Sequence, residues 1–221
     1  IYGNNIMSKT VVIVPIKQKS ERVKGKNLLK FGKKKLYEIT LEKLKFTNFD
    51  EIFVDTDSDE IKEYCYKNNI SIINRLKKLS KRNANGNDLL NYHYQIINSD
   101  LYFQIFITSP LLEVSTINKC IKILKINKNI DSILTMKKIY SWFWFDKKPV
   151  NYNPKTLPRS QDAKPIIQES TGLYGIKSSA LKKFKCRIGK KPFFYFIDEK
   201  EAFDLDTEED LKYLKFITNK N

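Results

Sequence analysis

Between Val11 and Met136, short runs of branched apolar residues alternate with amphipathic stretches, and few folds accept that rhythm. Val11-Val12-Ile13-Val14 reads as a strand buried on both faces. Lys35 to Phe46 reads as a helix, with Leu36, Ile39, Leu41 and Leu44 on its apolar face. Glu51 to Asp55, Ile70 to Asn74, Leu101 to Ile107 and Asp131 to Met136 read as four further strands. The acids and cap residues of Thr56 to Glu60 open a helix running to about Asn69, with Asp57 read as its cap. Two more helices are predicted, over Asn87 to Asn98 and through Val114, Ile117, Ile121 and Leu124. Strand, helix and strand repeated in this way pack as right-handed units on a mostly parallel sheet, so the class is α/β.

The rhythm breaks near Lys138. Tyr140-Ser141-Trp142-Phe143-Trp144-Phe145 is a dense aromatic block, read as core or interface packing. Four prolines follow between Pro149 and Pro165, and no helical period crosses them. Residues of about 138–168 therefore read as an excursion from the sheet. Ser170 to Ile176 resumes as a strand and Ser178 to Lys183 as a short helix. Pro192 to Ile197 and Ala202 to Leu205 are extended. Thr207-Glu208-Glu209-Asp210 has the form of a capping box, and opens a last helix through Leu211, Leu214 and Ile217. The 221 residues fit one domain. Residues 1–8 read as a leader, with Met7 a candidate start.

Composition removes several function classes. A chain with 14 Phe and 12 Tyr carries too many aromatics for disorder. No apolar run approaches the roughly 20 residues of a membrane span, and no secretory pattern opens the chain. Cys65, Cys120 and Cys186 make no metal-binding spacing and read as reduced, packed thiols. One histidine, His93, leaves no room for a histidine-based triad, and it reads as structural. The net charge of +16 points to anionic partners: nucleic acid, a membrane surface or small phosphates.

Two stretches carry chemistry. The first strand empties into Ile16-Lys17-Gln18-Lys19-Ser20-Glu21-Arg22-Val23-Lys24-Gly25-Lys26-Asn27. A cationic loop after a first parallel strand is where an α/β sheet holds phosphate. It is neither a Walker loop nor a GxGxxG turn, so its cations must do what glycine-rich backbone does elsewhere. Near the other end, Asp204-Leu205-Asp206 projects two carboxylates to one side of an extended segment. That is a hard oxygen site, suited to Mg²⁺ or Mn²⁺ shared with a triphosphate.

The first stretch resembles the signature of the CMP-sialic acid synthetase (acylneuraminate cytidylyltransferase) family. That signature is a strand, then Pro-Ala-Arg-Gly-Gly-Ser-Lys-Arg-Ile-Pro-x-Lys-Asn. Pro15, Ser20, Arg22, Lys26 and Asn27 match by position. Lys17 stands where the family has arginine, and Gln18-Lys19 replace its two glycines. The family's Asp-x-Asp before a last helix is matched by Asp204 and Asp206, which in that family hold the metal. Its arginine after the third strand corresponds to Arg75, near the nucleotide phosphates, with the forked donor that suits them. Asn85 and Asp88 lie in the loop that the family uses for the cytidine. Asp55 is a further candidate toward the metal or ribose.

The family's Gln-x-Thr-Ser-Pro is met by Gln104-Ile105-Phe106-Ile107-Thr108-Ser109-Pro110. Phe106 holds the place of the glutamine that faces the sugar, and Gln104 lies two residues earlier on the same face. The family's Arg-Arg-Gln-Asp and Glu-Asn-Gly-x-x-Tyr are met by Arg159-Ser160-Gln161-Asp162 and Glu169-Ser170-Thr171-Gly172-Leu173-Tyr174. In that family this arm crosses a dimer to the partner's site, and Arg159 there suits an acidic sugar's carboxylate.

The resemblance implies a Rossmann-like nucleotidyltransferase domain with a mostly parallel sheet and an extended dimerisation arm. It implies a cytoplasmic homodimer that transfers CMP from CTP to a sialic-acid or nonulosonate-type sugar with Mg²⁺, releasing pyrophosphate. Lys17, Arg22, Lys26, Asp204 and Asp206 would serve the triphosphate and metal. Ser20, Asn27, Arg75, Asn85 and Asp88 would bind nucleotide, and Gln104, Phe106, Arg159, Gln161 and Tyr174 the acceptor. The Phe106 and Ser160 departures leave open 3-deoxy-octulosonate or another small acid as acceptor. The basic charge and aromatic block leave open a non-catalytic nucleic-acid-binding protein. Against that rival, binding a phosphate backbone needs neither Asp204 nor Asp206.

Overall fold

The first strand alternates its side chains between two cores, and the other layers assemble around it. The computed structural model describes residues 8–18, 25–81 and 83–218. In chain order its elements are β1 (Thr10–Ile16), β2 (Lys30–Phe31), β3 (Lys34–Lys35), α1 (Leu36–Leu44), β4 (Glu51–Thr56), α2 (Asp59–Lys67) and β5 (Ser71–Asn74). Then come α3 (Gly86–Ile96), β6 (Leu101–Ile105), α4 (Val114–Ile126), β7 (Ser132–Ile139), β8 (Trp144–Phe145), β9 (Lys148–Pro149), β10 (Ile166–Lys177), α5 (Ser178–Phe184), β11 (Pro192–Phe196) and α6 (Glu208–Thr218).

Val11 and Ile13 of β1 pack with Leu90, Ile97, Ala180 and Leu181, which belong to α3, its end and α5. Val12 and Val14 pack with Leu36, Leu41, Ile61, Ile121 and Leu211, from α1, α2, α4 and α6. The period of two in a strand makes this split, and it gives helices on both faces. Each fully buried Leu or Ile contributes roughly 1.5–3 kcal/mol. Cys65 and Cys120 are buried in the second of these cores, and burial pushes their thiols up to about 11 and about 12. All three cysteines are free.

Seven strands form the main sheet in the order β11-β7-β10-β6-β1-β4-β5. β1 pairs in parallel with both β4 and β6, so the strand order reverses at β1. The carboxyl ends of β1 and β6 therefore face a crevice at the switch point, where open α/β sheets bind ligands.

Two departures from the sequence reading stand out. β10 runs antiparallel to both β6 and β7, so one strand of the sheet is reversed. It also starts at Ile166, inside the expected excursion, because Ile166 to Glu169 pair with Met136 to Ile139 of a lengthened β7. The excursion between them is a β8–β9 hairpin and a loop ending in a 3-10 turn at Ser160–Asp162. Asn151 holds it together, donating to the Ser141 and Lys164 carbonyls and accepting from the Phe143 amide. Its aromatic block is not core: Trp144 is 57% and Phe145 79% exposed. The N-cap position of the helix after β4 is held by Ser58 rather than Asp57, without a side-chain cap bond. The last helix has its box, with Thr207 N donating to Asp210 Oδ2 at 2.8 Å and Asp210 N to Thr207 Oγ1 at 3.2 Å. The side chain of Ile217 lies outside those described. Among the described residues no helix is long and apolar enough to cross a membrane.

Candidate active site

The cationic loop is tied to the sheet at both ends. Gln18 N donates to Asp57 Oδ1 at 2.6 Å, while Asp57 Oδ2 accepts from Ser80 Oγ at 3.0 Å. Asp57 thus braces the loop from the end of β4, which is why it does not cap α2. On the far side Gly25 sits at φ +69°, a backbone state that costs glycine nothing, and opens the 3-10 turn Lys26–Leu28. Asn27 is buried and its Nδ2 donates to the Lys17 carbonyl at 2.7 Å. Ser20 and Arg22 lie outside the described residues.

Lys26 joins this loop to the acidic pair. Its ammonium, on a side chain only 10% exposed, donates to the Leu205 carbonyl at 2.6 Å and lies 3.4 Å from Asp206 Oδ1. Residues 180 apart in sequence thereby share one wall of the crevice. The pair is also fixed from β6. Leu205 N donates to the Thr108 carbonyl at 2.8 Å, and Leu205 is fully buried. Lys43 holds the same turn from α1, donating to the Pro110 and Leu112 carbonyls at 2.5 and 2.6 Å. Burial pulls its pKa down to about 8, against the pull of Glu201 and Glu113.

Asp204 is the more constrained carboxylate. Its Oδ2 accepts from Thr171 Oγ1 at 2.8 Å, and the Thr108 hydroxyl also bonds it. Its Oδ1 is buried and has no hydrogen-bond partner among the described residues. Burial pushes its pKa up, the charge of Asp206 adds to this, and the two threonines and Lys26 oppose it. Thr171 occupies φ +61°, strained for a β-branched residue, where β10 shifts register between Glu169 and Tyr174.

The donor set suits a magnesium ion. A buried, unpartnered carboxylate oxygen beside a second carboxylate is destabilised by its own charge, and a dication relieves that. Among the described residues no three His, Cys, Asp or Glu converge. Mg²⁺ needs only one or two carboxylates, completing its shell with water and phosphate oxygens.

Two cavities flank this wall. One of about 710 Å³ is lined by Asp204, Asp206 and Asp210 with Lys137, Glu169 and Tyr213. The other, of about 340 Å³, lies at the ends of β1 and β6. Lys17, Arg75, Lys81 and Arg187 line it together with Asn27 and Asn85, and among the described residues no carboxylate does. Thr108 lines the second cavity and bonds Asp204 of the first.

The other predicted residues divide. Arg75 lines the cationic cavity, yet its guanidinium is 3% exposed and committed to Asp55, with Nε to Oδ1 at 3.0 Å and Nη2 to the carbonyl at 3.1 Å. Asp55 itself is fully buried and also meets His93 Nε2 at 2.8 Å, so it faces neither metal nor ribose. Burial pushes the Asp55 carboxyl up, but the His93 hydrogen bond and the Arg75 charge outweigh it and hold it low. Asn85 caps α3, its Oδ1 accepting from the Asn87 and Asp88 amides. Asp88 closes that capping box and lines a different cavity, with Asn91 and Gln95, which removes it from the crevice.

Gln104 is fully buried: Nε2 donates to the Gly86 carbonyl at 3.0 Å and Oε1 has no partner among the described residues. Phe106 lines the cationic cavity edge-on to Tyr174. Tyr174 is 2% exposed and donates to Glu169 Oε2 at 2.6 Å. Burial, then that hydrogen bond, raises its pKa well above the usual phenol, so it works as packing. Arg159 and Gln161 are exposed in the excursion, where Arg159 pairs with Asp162 at 2.6 Å, and neither lines the two crevice cavities. Sequence reading missed Arg187. It follows α5 in Lys185-Cys186-Arg187-Ile188-Gly189, with no motif around it, and only folding brings it under β6.

A strand order that reverses at β1, a cation-lined cavity at that point and an acidic pair lining the adjoining cavity are features of a nucleotidyltransferase architecture. The solved structure of CMP:2-keto-3-deoxy-manno-octonic acid synthetase with CTP is similar, at TM-score 0.73 and 15% identity, covering 96% of this chain and 99% of that one. A cytidylyltransferase from Leptospira borgpetersenii is similar at TM-score 0.63 and 20% identity, over 97% and 88% of the two chains.

Residues 11–221 match the model of the cytidylyltransferase family, and the chain belongs to that family. Among its relatives is the pseudaminic acid cytidylyltransferase and UDP-2,4-diacetamido-2,4,6-trideoxy-beta-L-altropyranose hydrolase of Helicobacter pylori, 24% identical over 80% of this chain and 36% of that protein. N-acylneuraminate cytidylyltransferase A of Danio rerio is 21% identical over 75% of this chain and 40% of its own length. The N-acylneuraminate cytidylyltransferase of Streptococcus agalactiae serotype V is 21% identical over 91% and 51%. The chain thus spans about a third to a half of these curated relatives.

Proposed function

We propose that this protein transfers CMP from CTP to a hydroxyl of an acidic sugar of the sialic-acid or nonulosonate type, releasing pyrophosphate. The observation that carries the reading is the Lys26 bridge, which joins the end of the cationic loop to Leu205 and Asp206 in the wall between the two cavities. The acceptor oxygen attacks the α-phosphorus. The bond from that phosphorus to the bridging oxygen breaks, pyrophosphate leaves with the electron pair, and the hydroxyl proton passes to solvent.

Little covalent work falls to the protein, so positioning and charge carry the catalysis. Lys17 and Lys26 offset charge on the triphosphate. Lys26 also holds the backbone that presents Asp206. Thr108 and Thr171 fix Asp204. Asp204 and Asp206 would hold Mg²⁺ or Mn²⁺, which supplies further charge neutralisation when bound. Asn27 steadies the loop at Lys17, and Asn85 stands in the wall of the cationic cavity. The exposed aromatics of the excursion support its role as a dimerisation arm, with Arg159 and Gln161 offered to a partner's site.

The test is pyrophosphate release by purified protein with Mg²⁺, CTP and, in turn, N-acetylneuraminate, pseudaminate and 3-deoxy-manno-octulosonate. Release with at least one acid sugar, and none without an acceptor, is the expected outcome. Background release with every sugar overturns the reading.

A further inference from the structure

We propose that Arg187 reads the acidic group of the acceptor inside the protomer's own crevice. The inference rests on the transferase reading and adds a residue to it. Arg187 is half-buried, with Cζ 3.6 Å from the centre of the Tyr174 ring and 5.9 Å from that of Phe106. A guanidinium stacked on a ring keeps its edge free for in-plane donation, the geometry that grips a carboxylate with two parallel bonds. Among the described residues that edge meets no carboxylate and makes no hydrogen bond. It opens onto the cavity whose lining, among the described residues, holds four cations and no acid.

The surroundings are built to hold it there. A Cβ on Gly86 would stand 2.6 Å from Arg187 Nη1, although the Gly86 backbone itself has no need of glycine. The small residue at the start of α3 therefore makes room for the guanidinium. The loop is anchored on both sides: Arg187 N donates to Asn87 Oδ1 at 2.9 Å, Asn91 Nδ2 donates to the Lys185 carbonyl at 2.7 Å, and the Asp131 carboxylate accepts from the backbone amides of Lys190 and Lys191. Gln104 Oε1, without a partner among the described residues, lies 3.7 Å from the same built position on Gly86, but Gln104 is fully buried and does not line the cavity, so the free donors there are those of Arg187.

The experiment compares wild type with Arg187→Ala, Arg187→Lys and Gly86→Ala, each first shown by its melting curve to be folded. Steady-state constants are measured for the acid sugar that supports pyrophosphate release and for its methyl ester. CTP affinity is measured by calorimetry with Mg²⁺. Loss of a charge-assisted pair raises the acceptor KM about 10- to 100-fold in Arg187→Ala. The lysine variant recovers little, Gly86→Ala shares the defect, and CTP affinity stays within about twofold. The preference for acid over ester shrinks in every variant. An unchanged acceptor KM in an active variant, or equal losses for acid and ester, overturns the role of Arg187 and leaves the transferase reading standing. A wild type that releases no pyrophosphate with any acid sugar overturns both.

Discussion

Asp204→Asn is expected to stabilise the unliganded protein and to abolish its response to nucleotide. The carboxylate is held in a partly buried site with one unpartnered oxygen, next to Asp206. Its folded pKa is raised, chiefly by burial, so the folded state binds its proton more tightly than the unfolded chain does. The stability from protonated Asp204 is complete below the ordinary carboxylate value of 3.8 and is lost as pH rises through the folded pKa. At neutral pH the ion is therefore a cost. Asparagine keeps an acceptor for Thr108 and Thr171 and removes that cost. Its NH2 would still stand unpartnered where Oδ1 stood, so only the cost of the partly buried charge beside Asp206 is relieved, and a gain of about 1–2 kcal/mol is expected.

For a chain of this length that gain is roughly 2–8 °C in Tm. Ligand acts in the opposite direction. CTP with Mg²⁺ at about 100 times its Kd adds about 2.7 kcal/mol to wild type, or roughly 5–11 °C, and nothing to the variant. The two proteins should exchange rank: the variant melts higher alone and lower with CTP and Mg²⁺. Differential scanning calorimetry at neutral pH, with and without each ligand, reads this directly. A variant that melts lower than wild type alone, or that keeps the metal-dependent shift, refutes the reasoning.

Two further outcomes follow from buried and exposed groups. Asp55→Asn leaves the guanidinium of Arg75 buried without its ion partner, a loss of about 3–5 kcal/mol or roughly 6–20 °C in Tm. Because the folded pKa of Asp55 is depressed, its contribution is present above 3.8 and lost as pH falls through the folded value; wild type should lose stability over that acid window and the variant should lose less, as urea titrations across pH would show. Phe145→Ser together with Leu157→Ser, at positions 79% and 59% exposed, should shift sedimentation from dimer to monomer with a small change in monomer stability. A double variant that stays a dimer removes the arm from the interface.

Much of this molecule was legible along the chain because its interactions there are local or periodic. The period of two in Val11 to Val14 specifies a strand covered on both faces, and the structure splits those residues between two cores. Thr207 and Asp210 are close enough in sequence to announce their capping box. The order of the Pro15, Asp204 and Tyr174 motifs was enough to point to the family. Asp57 went unread as a brace because its partners, Gln18 and Ser80, come from other segments. The reversed β10 was equally hidden, since a strand's own pattern carries no direction.

The sequence alone determined which residues carry charge, that the Val11 to Val14 strand is buried, and that a cationic loop and an acidic pair both exist. Tertiary structure decided which of those charges are available. It committed Arg75 to Asp55, turned Asp88 to another cavity, and brought Arg187 into the crevice from a segment with no motif. The reason is that a side chain's partner is chosen by distance in space, and folding places residues as far apart as Lys26 and Asp206 within 3.4 Å.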